Sequence, residues 1–567
     1  MGRGHWQTAW WWYQDAPEAP ATPENLFDKD FIPGHFSKQM QFLVVVNGQQ
    51  CGPYSPQEVR QYLATGQLQP QMLALSEGMK DWQPLETFPE FAPRAARTGR
   101  KSGRSRTPLY ASLAVGAVAL CAMAVWLLGR GKQSSGAEAT TAESPAPSSI
   151  IGHPDWPKTL AELNQWYAEP PPGQNAAQIF MQGYDAMSEQ VRANSKNVNL
   201  PYIGAASAPS PGSPVPAAMK TAMAAFMQEN KSAWDFFKQG SSFAQSRYPL
   251  DFTNGAFLLF PHLSPAKQAT QVAAVFALGY ADTQHGKEAG ESLLIGFAIG
   301  RSLEAEPQLI SQLVRVACYT GTFGLLKQTL NRVALPPQTL TQLQEVLGRM
   351  VDREASGENF NRAFVREKLD GLAIFDMPPK KLQETLGSLG TNLPNDTNGL
   401  TSNLPNNALK NANADRQFFV DSWDQVFAAR KEPFPARLKA DDIVGQRASE
   451  AETRQLPLAN LLLQGLEHAT SVEAQDLARL RLAQTAVALE RFRAASGNRY
   501  PADLAELSPK FLASVPEDPF DGQALRYTNS GNGYTLHSIG PPGASDAIQR
   551  SFVFTVSNPP KPDSATP

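Results

Sequence analysis

The sequence predicts a multidomain α+β protein with a small β/α module, one transmembrane helix, and a mainly α-helical outer domain ending in a small antiparallel sheet. Three observations predict this architecture. Residues 109–128 carry no charged side chain, residues 41–91 combine β-branched runs with one helix signal, and residues 217–352 carry apolar residues at helical spacing. The chain has 567 residues, enough for several domains, but its 46 prolines indicate that part of the length is linker.

The apolar segment LYASLAVGAVALCAMAVWLL at residues 109–128 is long enough to cross a bilayer. At ~1.5 Å per residue, a helix of this length spans about 30 Å, the thickness of the hydrocarbon core. Basic residues are concentrated between Arg94 and Arg106, whereas Arg130 and Lys132 follow the segment. This bias predicts a cytoplasmic N-terminus, a location in the bacterial inner membrane and an extracytoplasmic C-terminal domain. A buried core helix is the alternative, but such helices rarely run so far without a polar face.

The composition divides the chain into segments of different character. Tryptophans cluster before residue 39 without helical or strand periodicity, so this segment is expected to be disordered or to precede a true start at Met40. The predicted segments are 1–39, a β/α module at 40–92, a basic juxtamembrane linker at 93–108, the span at 109–128, a flexible linker at 129–150, a helical outer domain at 151–470, a long helix with a small sheet at 471–557, and a disordered tail at 558–567.

The small module begins with a hairpin signal. The run QFLVVV precedes Asn47-Gly48, a dipeptide that tolerates positive φ in a tight turn. Ser55-Pro56-Gln57-Glu58 then combines an N-cap, a first-turn proline and a capping-box glutamate. Gly66 is placed to end that helix. A return strand follows within residues 68–75.

Residues 41–91 resemble the bacterial branch of the GYF domains, small adaptor modules. The resemblance rests on the order VVNGQQCGPYSPQEVRQYLATGQLQPQMLALSEGMKDWQPL. It implies a surface for protein or proline-rich peptide on the cytoplasmic side. At the tripeptide that names the family this chain reads Gly66-Gln67-Leu68, which leaves that ligand open. The peptide-binding residues that the resemblance implies are Gly52, Pro53, Tyr54, Tyr62 and Trp82.

The same aromatic residues have a second interpretation. In a domain of about fifty residues, Tyr54, Tyr62 and Trp82 are also the expected core. The sequence leaves both interpretations open. Flat aromatic surfaces suit proline-rich ligands because a polyproline II helix is already ordered before it binds.

The sequence of the outer domain predicts a series of helices separated by short breaks that contain Gly or Pro. Stacked helix pairs of this rhythm typically form an interaction surface, so an envelope partner is expected outside. A further long helix at 471–496 has one apolar face, and its charged residues Arg479, Arg481, Glu490, Arg491 and Arg493 are expected to be largely solvated. The predicted helices of the denser region are 217–239, 265–283, 287–303, 307–319, 321–333 and 337–352.

Two further resemblances concern the outer region. Residues 477–546, with Pro516-Glu517-Asp518-Pro519-Phe520-Asp521-Gly522 and Ser538-Ile539-Gly540, resemble the globular end of type II secretion pseudopilins. The family's leader is absent, and Asp546 alone matches its calcium loop, so neither pilus assembly nor a metal site is expected. The phrases RYPLDF, LFPHL and EPQLISQLVRVA resemble uncharacterised planctomycete-type membrane proteins.

The sequence contains no catalytic, phosphate-binding or metal-binding motif, so no enzyme and no cofactor are predicted. The best polar constellation comprises Asp251, His262, Glu304, Glu306 and Arg315. A net charge of −3 gives no reason to expect nucleic acid. The three cysteines fall one per compartment, so no intramolecular disulfide is expected.

The leading hypothesis is a single-pass membrane scaffold or adaptor with a cytoplasmic peptide-binding module and an outer interaction domain. One alternative is an envelope enzyme whose site is assembled from scattered residues such as Asp251, His262 and Glu304. Another is an accessory of a secretion or pilus system. Convergence of these three side chains in one pocket favours the enzyme, and their separation argues against it.

Overall fold

The structure, a computed structural model, describes residues 42–46, 49–54, 59, 72–76, 83–88, 156–193, 197–382, 411–557 and 559–560. Two compact units are present, residues 20–109 and residues 110–567 together with 1–19, and each is described by itself. The predicted N-terminal segment at 1–39, the span at 109–128 and the flanking linkers lie outside the described residues.

The small unit contains a four-stranded antiparallel sheet. Its strands are β1 Phe42–Val46, β2 Gln49–Tyr54, β3 Leu73–Ser76 and β4 Gln83–Pro84, in the order β2-β1-β3-β4. Asn47 and Gly48 separate β1 from β2, as expected for a hairpin. The described part of its core includes Val59, Ala74, Leu85 and Phe88.

The large unit is mostly helical and ends in a three-stranded antiparallel sheet, as predicted. Its strands are β5 Arg526–Asn529, β6 Gly533–His537 and β7 Val553–Ser557. Its described helices are α1 Leu160–Trp166, α2 Ala176–Asp185, α3 Glu189–Arg192, α4 Ala217–Glu229, α5 Lys231–Ser241, α6 Leu263–Asp282, α7 Gly286–Arg301, α8 Leu309–Leu330, α9 Pro337–Ser356, α10 Glu358–Phe375, α11 Ala412–Arg430, α12 Lys439–Thr453, α13 Pro457–Leu463, α14 Ala469–Ala495 and α15 Asp546–Arg550.

Helices α6, α7 and α8 pack on one another in the centre of the large unit. Small residues allow the backbones of α7 and α8 to approach closely. A Cβ atom added to Gly300 would lie 2.5 Å from Tyr319 Cε1, and one added to Gly296 would lie 2.8 Å from Thr322 Oγ1. Any larger residue at these positions would therefore push the two helices apart.

Two predicted helix boundaries in this region are wrong. The expected break between 307–319 and 321–333 does not exist, because α8 continues through Gly321 and Gly324. A glycine inside a helix costs about 1 kcal/mol relative to alanine, and the buried Thr322 and Phe323 between these glycines supply packing that outweighs it. Conversely, the predicted helix 217–239 is divided into α4 and α5 at Asn230.

Among the described residues, α8 is the helix whose length and apolar composition would suffice to cross a bilayer. In its most apolar window, 61% of the residues are buried inside the protein. The helix also carries the buried Arg315. We therefore interpret α8 as the core helix of the unit.

The C-terminal sheet packs against α14 and α8. Side chains at the C-terminal end of α8 contact the outer edge of β7. Lys327 Nζ donates to the Val553 carbonyl oxygen (3.1 Å), and Nδ2 of Asn331, the residue that follows α8, donates to that of Thr555 (3.0 Å). Asn331 Oδ1 also accepts from the Ser557 backbone N–H (2.8 Å). Three backbone groups of this edge therefore have hydrogen-bond partners within the unit.

The expectation that the charged residues of α14 are largely solvated is wrong for Arg479, Glu490 and Arg493, which are 2%, 4% and 6% exposed. Arg493 pairs with Glu490 (2.9 Å) and donates to the Pro560 carbonyl oxygen (3.1 Å). Tyr500 Oη also donates to Glu490 (2.8 Å). The second face of α14 is thus covered by the sheet region and the tail, which a helical period alone does not reveal.

Asp518 organises the turn before the C-terminal sheet. Its carboxylate is fully buried and accepts hydrogen bonds from the Phe520 and Ile539 backbone N–H groups and from the Ser538 hydroxyl (2.8–3.1 Å). Arg526 Nη1 supplies the countercharge at 2.8 Å. One carboxylate thereby joins the two sequence motifs Pro516–Gly522 and Ser538-Ile539-Gly540.

We predict that Asp518→Ala lowers the free energy of unfolding by about 3–5 kcal/mol, because it leaves buried donors without an acceptor. Asp521→Ala is the matched control, since Asp521 pairs with the same Arg526 but is more exposed, and its loss should cost about 0–1 kcal/mol. Urea unfolding of the full chain in detergent measures both. Equal effects of the two substitutions would contradict the role assigned to Asp518.

Candidate functional sites

The predicted peptide-binding element Gly52-Pro53-Tyr54 lies on β2, an edge strand of the small sheet. Phe42 pairs with Tyr54 whereas Val44 pairs with Cys51, so β2 contains one more residue than β1 across this interval. The irregularity is a β-bulge at Gly52-Pro53. Bulges and edge strands tolerate proline, which has no N–H to donate, and they change the direction of the following residue.

The other two predicted peptide-binding residues, Tyr62 and Trp82, lie outside the described residues. The structure therefore places Gly52, Pro53 and Tyr54 together on one bulged strand and leaves the rest of the predicted surface untested. Val59, on the predicted helix after this strand, is fully buried, in agreement with an apolar face on that helix.

In the large unit, the predicted polar constellation is divided among separate partners. Asp251 caps the 3-10 helix Phe252–Phe257 and accepts from Thr253 Oγ1 and Asn164 Nδ2 (both 2.7 Å). These two hydrogen bonds lower the pKa of Asp251, and the one from Thr253 has the larger effect. Glu304 instead pairs with Arg353 at 2.7 Å. Both acids thus have structural partners.

His262 and Glu306 form a buried pair of their own. His262 Nε2 lies 2.7 Å from Glu306 Oε1, although the ring N–H is poorly aligned with the carboxylate. The Tyr248 ring stacks on the imidazole with centroids 4.0 Å apart. The Tyr248 hydroxyl lies 2.9 Å from both Tyr184 Oη and Ser302 Oγ, and burial raises its pKa. This polar cluster joins the segment before α6 to the turn before α8.

Arg315 is the centre of a second buried cluster. Its guanidinium pairs with Glu354 of α9 at 2.8 Å and with Asp476 of α14 at 3.2 Å, and it also donates to Gln312 Oε1 (2.7 Å). Burial raises the pKa of both Glu354 and Asp476, while the charge of Arg315 opposes that rise. One arginine on α8 thus ties two further helices to the centre of the unit.

A third buried cluster surrounds Glu473 of α14. Its carboxylate accepts from Arg430 at 2.8 Å and from Arg437 at 2.9 Å. Arg430 also donates to Asn361 Oδ1 (2.7 Å), and Arg437 donates to the Ala355 carbonyl oxygen (3.1 Å). The cluster therefore connects α14 with α9, α10 and α11.

Two buried aspartates cap helices to which they do not belong. Asp441 of α12 accepts from the backbone N–H groups of Thr470 and Ser471, at 2.9 and 2.7 Å, at the start of α14. Asp415 of α11 accepts from those of Leu458 and Ala459, at 2.9 and 2.8 Å, at the start of α13. Each carboxylate satisfies N–H groups that a helix leaves unpaired at its N-terminus.

These arrangements have structural roles. The charged groups of the buried clusters neutralise one another, and among the described residues no group of three or more His, Cys, Asp or Glu side chains could hold a metal ion. Sequence reasoning missed Glu354, Glu473, Asp476, Arg430 and Arg437. The available signal was the spacing of Glu473, Asp476 and Arg479, which places charges three residues apart among apolar positions of one long helix.

Comparison with known proteins finds a match for the small unit. Residues 42–91 match the family model of GYF domain 2. No curated protein and no solved structure matches the chain. The match supports the GYF-like interpretation of residues 41–91 and indicates a protein-binding module. Nothing in these comparisons supports the pseudopilin or planctomycete resemblances.

The buried cap Asp441 predicts a pH dependence of stability. Burial raises the pKa of Asp441 from 3.8 to about 7. A carboxyl group whose pKa is higher in the folded chain contributes its stability fully below the unfolded pKa, and this contribution is lost as the pH rises to the folded value. Asp441→Asn has no proton to lose. Between pH 4 and pH 7, the wild-type free energy of unfolding should fall relative to this variant by up to about 1.4 kcal/mol per pH unit.

Asp442→Asn is the control for this prediction, because Asp442 is the exposed neighbour of Asp441. Its unfolding free energy should follow the wild-type pH dependence. The measurement is urea unfolding of the full chain at a series of pH values. Parallel curves for wild type and Asp441→Asn would show that the carboxyl group does not titrate in this range.

Proposed function

We propose that the chain is a single-pass scaffold of the bacterial inner membrane. Its GYF module binds a protein or proline-rich peptide in the cytoplasm, and its helical domain binds an envelope partner on the other side. The observation that carries the proposal is the order of the segments: a GYF match at residues 42–91, basic residues up to Arg106, and then twenty uncharged residues at 109–128.

The geometry of β2 supports the peptide-binding part of this proposal. The bulge at Gly52-Pro53 lies on β2, an edge strand of the sheet, and edge strands are the ones that can pair with a further extended segment. Tyr54 follows the bulge directly in the sequence, and aromatic residues are the ones that typically form the flat surfaces to which polyproline II helices bind. The partner is therefore expected to present a short extended segment that is already ordered and so loses little conformational entropy on binding.

The geometry of the large unit does not favour the enzyme hypothesis. Asp251, His262 and Glu304 each have a different partner, as described above, so the constellation does not form one site. The hypothesis of a secretion or pilus accessory has no observation in its favour beyond the sequence resemblance. The identity of the outer partner is best sought by co-purification with the full chain.

We predict that the full chain, solubilised in detergent, binds a fluorescent proline-rich peptide saturably. Tyr54→Ala should weaken binding about tenfold or more, because a central aromatic contact contributes upwards of ~1.4 kcal/mol. Fluorescence polarisation measures the affinity. Tyr13→Ala, the same substitution outside the matched residues, should leave it unchanged. Absence of saturable binding by the wild type would reject this ligand class.

A further inference from the structure

The segment that follows β7 contacts helix α14 through one side chain. Pro559 and Pro560, the two described residues after β7, are half-buried, and we call them the tail segment. Arg493 of α14 donates from both Nη1 and Nη2 to the Pro560 carbonyl oxygen, each at 3.1 Å. Because proline has no backbone N–H, the tail segment can be held only through its carbonyl oxygens and its rings.

The side chains around Arg493 are positioned by contacts that do not involve the tail segment. Glu490 Oε2 accepts from Arg493 Nε (2.9 Å), and Glu490 Oε1 accepts from Tyr500 Oη (2.8 Å). The Tyr500 ring packs edge-on against the Tyr534 ring, with centroids 4.9 Å apart. The site is therefore preorganised, since its own side chains hold the arginine in place.

This site has the chemistry that recognises an extended, proline-bearing peptide. The Arg493 guanidinium carbon lies 5.8 Å from the centroid of the Tyr500 ring, so donors for a carbonyl oxygen stand beside an aromatic side chain. Polyproline II segments form no internal hydrogen bonds, and their carbonyl oxygens are free to accept from such donors. Arg493 and Glu490 are only 6% and 4% exposed, and hydrogen bonds are stronger where water is excluded.

The same unit contains a second arginine that holds a proline-bearing segment by its carbonyl oxygens. Arg332 donates from Nη1 to the Ser213 carbonyl oxygen and from Nη2 to that of Ser210, in a loop that also contains Pro211 and Pro214. Each of these two nitrogens thus has a carbonyl oxygen of its own. At the tail segment the corresponding two nitrogens share one oxygen, so a ligand that offers two carbonyl oxygens would use the guanidinium more fully.

From these contacts we propose that the tail segment is a replaceable ligand of a peptide-binding site at Arg493, Glu490 and Tyr500, which an extended, proline-bearing segment of the outer partner occupies in its place. The inference rests on the proposed interaction role of the large unit and deepens it by assigning the site and the class of partner. Release of the tail segment breaks no pairing between β6 and β7, which ends at Ser557. A tethered ligand acts at a high effective concentration, so it keeps weakly binding segments out of the site.

The test measures, by fluorescence polarisation, the binding of a labelled peptide with the sequence of residues 558–567, NPPKPDSATP. It compares the full chain with a chain truncated after Ser557, both solubilised in detergent. Both carry Tyr54→Ala, so that the GYF module does not contribute to the signal. Circular dichroism checks that the truncated chain is folded.

We expect the truncated chain to bind the peptide saturably and the full chain to bind it at least about tenfold more weakly, because its own tail segment occupies the site. Arg493→Lys in the truncated chain should weaken binding about tenfold or more, since lysine keeps the charge that pairs with Glu490 but loses the guanidinium fork. Arg491→Lys is the matched control on the same helix. Its guanidinium lies over the Phe511 ring, so this substitution should leave binding unchanged.

Changes in the peptide test the site without any effect on folding. A peptide carrying Pro559→Ala and Pro560→Ala should bind several-fold more weakly, because it is no longer ordered before it binds. A folded truncated chain that binds the unchanged peptide no better than the full chain does, or regardless of Arg493→Lys, would overturn the assignment. Binding that appears only when Tyr54 is restored would place the peptide on the GYF module, so the tail site would fail while the peptide-binding function stood.

Discussion

The large unit depends on the pairing of charges that have been removed from water. An ion transferred into the protein interior loses hydration worth several kcal/mol, and a countercharge with aligned hydrogen bonds must replace it. Arg315 meets this requirement through Glu354 and Asp476, and Arg430 meets it through Glu473. Arg315 and Asp476 are separated by 161 positions in the sequence, so their contact forms only when α8 and α14 are both in place. Removing one member would leave the other buried and unpaired.

The burial of paired charges also marks the limit of what the sequence could predict about the fold. Helices α6, α7 and α9 match their predicted ranges closely because one periodic apolar pattern and clear end signals define each of them. Asn47-Gly48 and the turn at residues 516–522 marked the strands that follow them. The burial of Arg479, Glu490 and Arg493 was not predictable in this way, because it depends on which distant segments cover the second face of α14. Tertiary contacts also explain why α8 continues through Gly321 and Gly324, where the sequence predicted a break.

For the candidate sites as well, some features could be predicted from the sequence and others could not. Gly52-Pro53-Tyr54 was singled out through the family resemblance, and the structure places these residues on a bulged edge strand, where glycine and proline are tolerated. Their role in peptide binding stays a prediction. The constellation around Asp251, His262 and Glu304 was assembled from residue types that lie close together in the sequence. The structure gives each of these side chains a partner elsewhere, namely Thr253 with Asn164, Glu306, and Arg353. Proximity in sequence therefore did not predict shared chemistry.

The cost of desolvating charge also underlies the proposed division of the chain between two aqueous compartments. Residues 109–128 contain no charge, and basic residues accumulate on one side of them. The direct measurement is protease digestion of spheroplasts, with permeabilised cells as the control. The account predicts that protease removes the region after residue 128 from intact spheroplasts, while the GYF module stays protected and pellets with the membrane. An undigested C-terminal region that remains in the soluble fraction would contradict it.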